Sequence, residues 1–90
     1  MLFSIEKIQE IEYYFAAVKS TISVSYVLGV ITQDFAEQQT LAIAKVHFEL
    51  LEQIAPDLLK ACSVPDKTTY LADSIRFLHD LKRKHFADLN

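Results

Sequence analysis

Hydrophobic side chains recur every three or four residues through the first quarter of the chain. The repeating positions are Ile8, Ile11, Phe15, Val18 and Ile22. This spacing is typical of one buried face of an α-helix, and Glu6, Glu10 and Lys19 fall away from that face. Ser4 is placed to cap the free amides at the helix start, and Phe3 to pack on Ile8 as a hydrophobic staple. The pattern therefore predicts an amphipathic helix that begins near residue 4.

The next segment, Ser20 to Ile31, is compatible with either a helix or a strand. Its larger hydrophobic residues alternate with smaller ones, which favours a strand: Ile22, Val24, Tyr26, Leu28 and Val30. The rest of the chain holds no second strand-like run, and an isolated strand leaves its backbone groups without hydrogen-bond partners. We interpret the segment as a continuation of the helix to about Leu28, with Gly29 as the left-handed residue after its end.

Three more helices are predicted from the remaining pattern. Thr32 is placed to cap a second long helix, and the short connection before it predicts an antiparallel helical hairpin. Residues 35 to 55 are hydrophobic over most of the circumference of this helix and polar along one strip, Gln38, Lys45, Glu49, Glu52 and Gln53. Pro56 and Pro65 suit the first turn of a helix. We therefore expect a short helix from Pro56 and a last long helix over about residues 66 to 88.

The last helix repeats the amphipathic pattern of the first. Its predicted inner face consists of Leu71, Ile75, Leu78 and Leu81, flanked by Tyr70 and Phe77. Three long helices and one short helix, without any linker or repeat, predict an all-α fold. We expect residues 1 to 90 to form a single domain, a small helical bundle.

The composition is that of an ordered protein. Hydrophobic residues make up 51% of the chain and charged residues 23%, which differs from the composition of disordered chains. Cys62 is the only cysteine and cannot form an intramolecular disulfide, and the first residues lack the pattern of a secretory signal. The longest uncharged run, Ser20 to Gln33, is shorter than the roughly 20 residues that a spanning helix needs. A cytoplasmic protein without a membrane segment is expected.

Positive charge is concentrated near the end of this acidic chain. The formal net charge is −3, and the basic cluster consists of Arg76, Lys82, Arg83 and Lys84. Cations in a last helical turn complement the helix dipole, and Asp80 precedes Lys84 by the four residues that favour an ion pair. We interpret the cluster as helix-end electrostatics. The alternative is nucleic-acid binding through phosphate contacts, which the acidic remainder of the chain opposes.

Few residues suggest catalysis or metal binding. Cys62, two residues after Lys60, is interpreted as an ordinary small hydrophobic residue and not as a reactive thiol. His47 and His85 are interpreted as a packed and a helix-end side chain, and no two histidines have the spacing of a helical metal site. The sequence thus predicts no catalytic residue, no metal and no cofactor.

One set of carboxylates resembles a known site. Glu49 and Glu52 form a Glu-x-x-Glu motif on the second helix, and Asp73 follows on the last helix. The arrangement resembles the magnesium site of the all-α nucleotide pyrophosphohydrolases, which implies Mg²⁺-dependent nucleotide hydrolysis as an alternative function. The family has a Glu-x-x-Asp as its second element, whereas here Tyr70 stands in place of that glutamate.

The chain has more hydrophobic surface than three helices need for one core. The surplus covers the end of the first helix and much of the second, and such surface is commonly covered in symmetric dimers. The sequence therefore predicts a homodimer that acts through protein–protein contact, as an adaptor, inhibitor or assembly factor, on a partner that the sequence does not identify. The alternative is a monomer in which the short helix covers the second helix. The predicted interface consists of Val24, Tyr26, Val27, Leu28, Val30, Ile31, Leu41 and Phe48.

Overall fold

The structure, a computed structural model, describes residues 4 to 61 and 66 to 89, with side chains as far as residue 85. Four α-helices follow one another in the chain: α1 is Ile5–Val27, α2 is Gln33–Ile54, α3 is Pro56–Ala61 and α4 is Lys67–Leu89. The described residues contain no strand. The predicted all-α fold of three long helices and one short helix is confirmed, and most of the ambiguous segment Ser20 to Ile31 is helical.

Local hydrogen bonds explain where the long helices begin and end. Ser4 and Thr32 each accept a hydrogen bond from the backbone N–H three residues later, at 3.2 Å, so both predicted N-caps are confirmed. Gly29 has a φ of 77°, a conformation that side chains disfavour, and it follows α1 as predicted. Asp66 caps α4 through a 2.8 Å hydrogen bond from the N–H of Thr69. The predicted roles of Phe3 and Pro65 lie outside the described residues.

The central helix of the bundle is α2, against which α1, α3 and α4 all pack. One core cluster contains Ile8 from α1 with Ile54 from α2, and the other contains Tyr26 with Ala36 and Leu78. Because Ile8 and Tyr26 stand near opposite ends of α1, these pairs show that α1 and α2 are antiparallel. The third long helix, α4, is antiparallel to α2 and so runs in the same direction as α1.

Small and polar side chains occupy the middle of the bundle, between the two hydrophobic clusters. Ser23, Thr40 and Ala44 are all buried there. The helices α1 and α4 pack less extensively on each other than either packs on α2. A groove therefore remains between α1 and α4 at this level, and Thr40 of α2 is among the residues that line it.

Candidate functional site

A polar network connects the three long helices beside the groove. The imidazole of His47, from α2, is only 6% exposed and stacks on the ring of Phe15 from α1, with ring centres 4.5 Å apart. Its Nε2 lies 2.6 Å from Oε1 of Glu12, and its Nδ1 lies 3.0 Å from the hydroxyl of Tyr70. Lys19 Nζ donates to the same hydroxyl and lies 3.4 Å from Nδ1 of His47. We call Glu12, Lys19, His47 and Tyr70 the polar network.

The chemistry of the donors assigns a direction to this network. An ammonium group only donates, so the Tyr70 oxygen accepts from Lys19 and keeps its own proton for Nδ1 of His47. The imidazole donates from Nε2 to Glu12, because a carboxylate only accepts. The network is thus a continuous chain of hydrogen bonds from an ammonium group to a carboxylate. It fixes the register of α1, α2 and α4.

The sequence interpretation missed most of this network. His47 is packed, as predicted, but Lys19 was expected to point away from the buried face of α1. The structure corrects this expectation, because Lys19 is half-buried against Tyr70 and His47. The available signal was spacing: Glu12 and Lys19 are seven residues apart, so they share one face of a helix with Phe15.

The groove between α1 and α4 begins at the polar network. It has a volume of about 570 Å³. Lys19 and Tyr70 line it at one end, and Val24, Phe77 and Leu81 provide hydrophobic walls. Its remaining lining is small or polar and includes the hydroxyl residues Ser20, Ser23, Thr40 and Ser74. A ligand in this groove would therefore meet hydrophobic walls and an ammonium group together.

A second hydrophobic surface lies on the outer side of α1. The outer stripe consists of Tyr14, Ala17, Thr21, Val24 and Leu28, all of them exposed. Their alternating spacing of three and four residues is that of a helix face that packs on another helix. Between residues 13 and 28 the only charged residue is Lys19, which belongs to the polar network. The outer stripe is therefore an uncharged helix face in contact with solvent.

The structure divides the predicted interface residues into three groups. Tyr26 and Phe48 are buried inside the chain itself, at 6% and 7% exposure, and offer no surface to a partner. Val27 and Ile31 are half-buried. The exposed members are Val24, Leu28, Val30 and Leu41. Val24 and Leu28 are part of the outer stripe.

The four residues of the basic cluster do not form one surface. Lys82 turns back toward α1, where its Nζ donates to the carbonyl oxygen of Tyr26 at 2.9 Å and lies 4.4 Å from the ring centre. Arg83 pairs with Asp80 at 2.6 Å, and Arg76 lies 3.6 Å from Asp73. Asp80 was expected to pair with Lys84, but its partner is Arg83, three residues ahead. The long guanidinium fork reaches back across one turn.

Two of the three carboxylates that resemble a magnesium site, Glu49 and Asp73, form ion pairs with basic residues. Glu49 forms an ion pair with Lys67 at the start of α4, and this hydrogen bond lowers the pKa of Glu49. Hydrogen bonds from Thr69 likewise lower the pKa of Asp66. Within residues 4 to 61 and 66 to 85, no group of three His, Cys, Asp or Glu side chains could hold a metal ion. His85 is exposed, and Cys62 lies outside the described residues.

One further histidine, absent from the sequence interpretation, connects α4 with α2. His79 Nε2 lies 3.1 Å from Oε1 of Glu37, and its ring meets that of Tyr26 edge-on, with centres 6.2 Å apart. Tyr26 is thus held between His79 and Lys82. This arrangement closes the end of the bundle remote from Ile8.

Comparison with protein-family models, curated proteins and solved structures finds no match for this chain. None of the described helices is both long enough and hydrophobic enough to span a membrane.

Proposed function

We propose that this protein is a small interaction module, without catalysis of its own, that works as a homodimer joined through the outer stripe of α1. The observation that carries the proposal is the uncharged, helix-packing face from Tyr14 to Leu28. Burial of that face removes hydrophobic surface from water without removing any charge from solvent. As an adaptor, inhibitor or assembly factor, the dimer acts through contact with a further protein in the cytoplasm.

The outer stripe is complementary to a second copy of itself. Tyr14 and Leu28 each stand seven residues from Thr21, which is about 10 Å along a helix. A two-fold axis at Thr21 that pairs α1 with an antiparallel copy therefore places Tyr14 opposite Leu28 of the partner subunit. The smaller side chains Ala17 and Val24 then meet across the middle. The same contacts therefore form on both sides of the axis, as in an isologous interface.

The polar atom at the centre of the stripe is compatible with burial. The Thr21 hydroxyl donates to the carbonyl oxygen of Ala17 within the same helix, at 3.0 Å. Its hydrogen bond is therefore kept when a partner helix excludes water, and the cost of an unpaired buried hydroxyl does not arise. The side chain offers its methyl group to the interface.

The surface area of the chain is compatible with a further contact. Its accessible surface is 6358 Å². A compact monomer of 10.3 kDa is expected to expose about 5,400 Å², so the chain exposes about 1,000 Å² more. A standard interface buries about 800 Å² on each partner. The surplus is of the size that one dimer contact would cover.

Disulfide cross-linking tests the proposed geometry. In a Cys62→Ser background, chains with Tyr14→Cys are mixed with chains with Leu28→Cys and oxidised gently. The antiparallel pairing predicts a cross-linked dimer in the mixture and little in either variant alone. Gln38→Cys, exposed on α2, is the matched control and should not cross-link with either. Self-cross-linking of Tyr14→Cys, or no cross-link in the mixture, would contradict the proposed pairing.

A further inference from the structure

We propose that the groove between α1 and α4 is a binding site for a small amphipathic carboxylate, such as a medium-chain fatty acid. The hydrophobic tail lies along Val24, Phe77 and Leu81, and the carboxylate accepts a hydrogen bond from Lys19 at the inner end. This inference goes beyond the dimer and rests on the groove and the polar network.

The groove has the form of a small-molecule site. Its volume of about 570 Å³ lies within the range of about 300 to 1,000 Å³ that such sites occupy. Small side chains keep it open, because Ala16, Ser20 and Ser23 on α1 face Ser74 on α4. Phe77 is 64% exposed at its wall, a large hydrophobic side chain that a bound tail would cover. The groove therefore combines hydrophobic surface with space beside it.

The ammonium group of Lys19, at the end of the groove beside the polar network, favours a carboxylate headgroup. Among the described residues, Lys19 takes part in no ion pair with a carboxylate. Its ammonium group donates to the Tyr70 hydroxyl and lies 3.4 Å from Nδ1 of His47, and neither of these groups is a carboxylate. An ammonium group has three N–H donors and only one is used on Tyr70, so a donor is available for a ligand oxygen. A carboxylate supplies the negative charge that these partners lack.

The groove contains a second charged side chain, which forms an ion pair with a residue other than Lys19. Asp73 also lines the groove, but its Oδ1 lies 3.6 Å from Nη1 of Arg76 on the same helix. This ion pair offsets the negative charge at the rim. A ligand that bound through Asp73 would have to be a cation. The charge of the headgroup therefore distinguishes binding at Lys19 from binding at Asp73.

The polar network holds the headgroup site in place before a ligand arrives. Tyr70 and His47 fix the position of Lys19 Nζ, and the stacking of His47 on Phe15 fixes the imidazole. A preorganised donor loses less conformational entropy on binding than a mobile surface lysine does. Only Val24 belongs to both the groove and the outer stripe, so a ligand and a second subunit can be tested separately.

Calorimetric titration and amide chemical-shift mapping with decanoate test the proposal. We expect shifts concentrated at residues 16 to 24 and 70 to 81. The Lys19→Met variant should bind decanoate about tenfold to a hundredfold more weakly, since a charge-assisted hydrogen bond is lost. The control Lys45→Met removes an exposed lysine of α2 that does not line the groove, and it should bind like the wild type. The uncharged 1-decanol should bind as weakly to wild type as decanoate binds to Lys19→Met.

A second variant keeps the test independent of the stability of the network. Ser20→Leu fills the groove without changing any residue of the polar network, and it should abolish decanoate binding. Gln38→Leu, the same kind of change on exposed α2, should leave binding intact. Three results would overturn the proposal: no groove shifts with decanoate up to about 1 mM, equal affinity for decanoate and 1-decanol, or tighter binding of decylammonium, which would assign the site to Asp73.

Discussion

His47 Nε2 and Glu12 Oε1 lie 2.6 Å apart and join α2 to α1 near the middle of the bundle. The other nitrogen of the same imidazole faces Tyr70 of α4 at 3.0 Å. One side chain therefore makes specific hydrogen bonds to both neighbouring helices. Hydrophobic packing alone tolerates small shifts of one helix along another, whereas these paired donors and acceptors match in only one register.

Removal of the Tyr70 hydroxyl tests the contribution of the polar network. Tyr70→Phe keeps the ring but takes one acceptor from Lys19 and one donor from His47, so we expect a loss of about 1 to 2 kcal/mol in the free energy of unfolding. Urea denaturation followed by circular dichroism measures it. Tyr13→Phe is the matched control, because Tyr13 is 82% exposed and its loss should change little. Equal stability of the two variants would show that the network contributes nothing.

The structure predicts different effects for neighbouring lysines of the basic cluster. Lys82→Met keeps the hydrophobic stem but loses the hydrogen bond to the Tyr26 carbonyl and the contact with its ring. We expect a loss of about 1 kcal/mol. Lys84→Met, the same change at an exposed position, should alter stability by less than about 0.5 kcal/mol. Thermal denaturation of both variants compares them, and a larger effect at Lys84 than at Lys82 would contradict this account.

The basic cluster also allows a test of nucleic-acid binding, the alternative function. Replacement of Lys82, Arg83 and Lys84 by glutamine removes three positive charges and retains helix propensity. We expect wild type at micromolar concentration to shift neither duplex nor single-stranded probes in about 50 mM salt, since two of the four cationic groups are paired with acids and Lys82 turns inward. A salt-sensitive shift that the triple variant abolishes would favour nucleic-acid binding instead.

Two carboxylates predict how stability depends on pH. The hydrogen bond from Lys67 lowers the pKa of Glu49, and hydrogen bonds from Thr69 lower the pKa of Asp66. Their contributions are therefore present above the ordinary carboxylate pKa of about 4 and are lost as the pH falls through the lower folded-state values. Glu49→Gln should be less stable than wild type at neutral pH, with a difference that shrinks below about pH 4. Unfolding at several pH values measures it, and a difference that grows on acidification would contradict the assignment.

The helices and their ends followed from local chemistry, and so they could be predicted from the sequence. Ser4 and Thr32 cap their helices through hydrogen bonds that span three residues. Gly29 adopts its positive φ because the chain leaves α1 at this turn. Leu78, predicted on the inner face of α4, is 1% exposed. In each case the residues that decide the outcome lie within one or two turns of one another.

The polar network depends on residues far apart in the chain, and sequence periodicity does not show such contacts. Lys19 meets Tyr70 across 51 positions, and Lys82 meets the Tyr26 carbonyl across 56. Projection of a single helix places a lysine on a face, but it does not show which oxygen or ring of another helix the ammonium group reaches. The long hydrophobic stem of lysine packs inside while its ammonium group finds an oxygen, so burial of these residues is a property of the assembled bundle.

Sedimentation equilibrium tests the central claim, that the outer stripe joins two copies of the chain. Wild type at micromolar concentration should give twice the protomer mass of 10.3 kDa. Because a two-fold axis at Thr21 makes this residue face its own counterpart, Thr21→Glu and Thr21→Lys should each be monomeric, and an equimolar mixture should return to the dimer mass. The control Gln38→Glu, on α2, should remain dimeric. A wild-type mass of 10.3 kDa, or Thr21 variants as dimeric as wild type, would contradict the account.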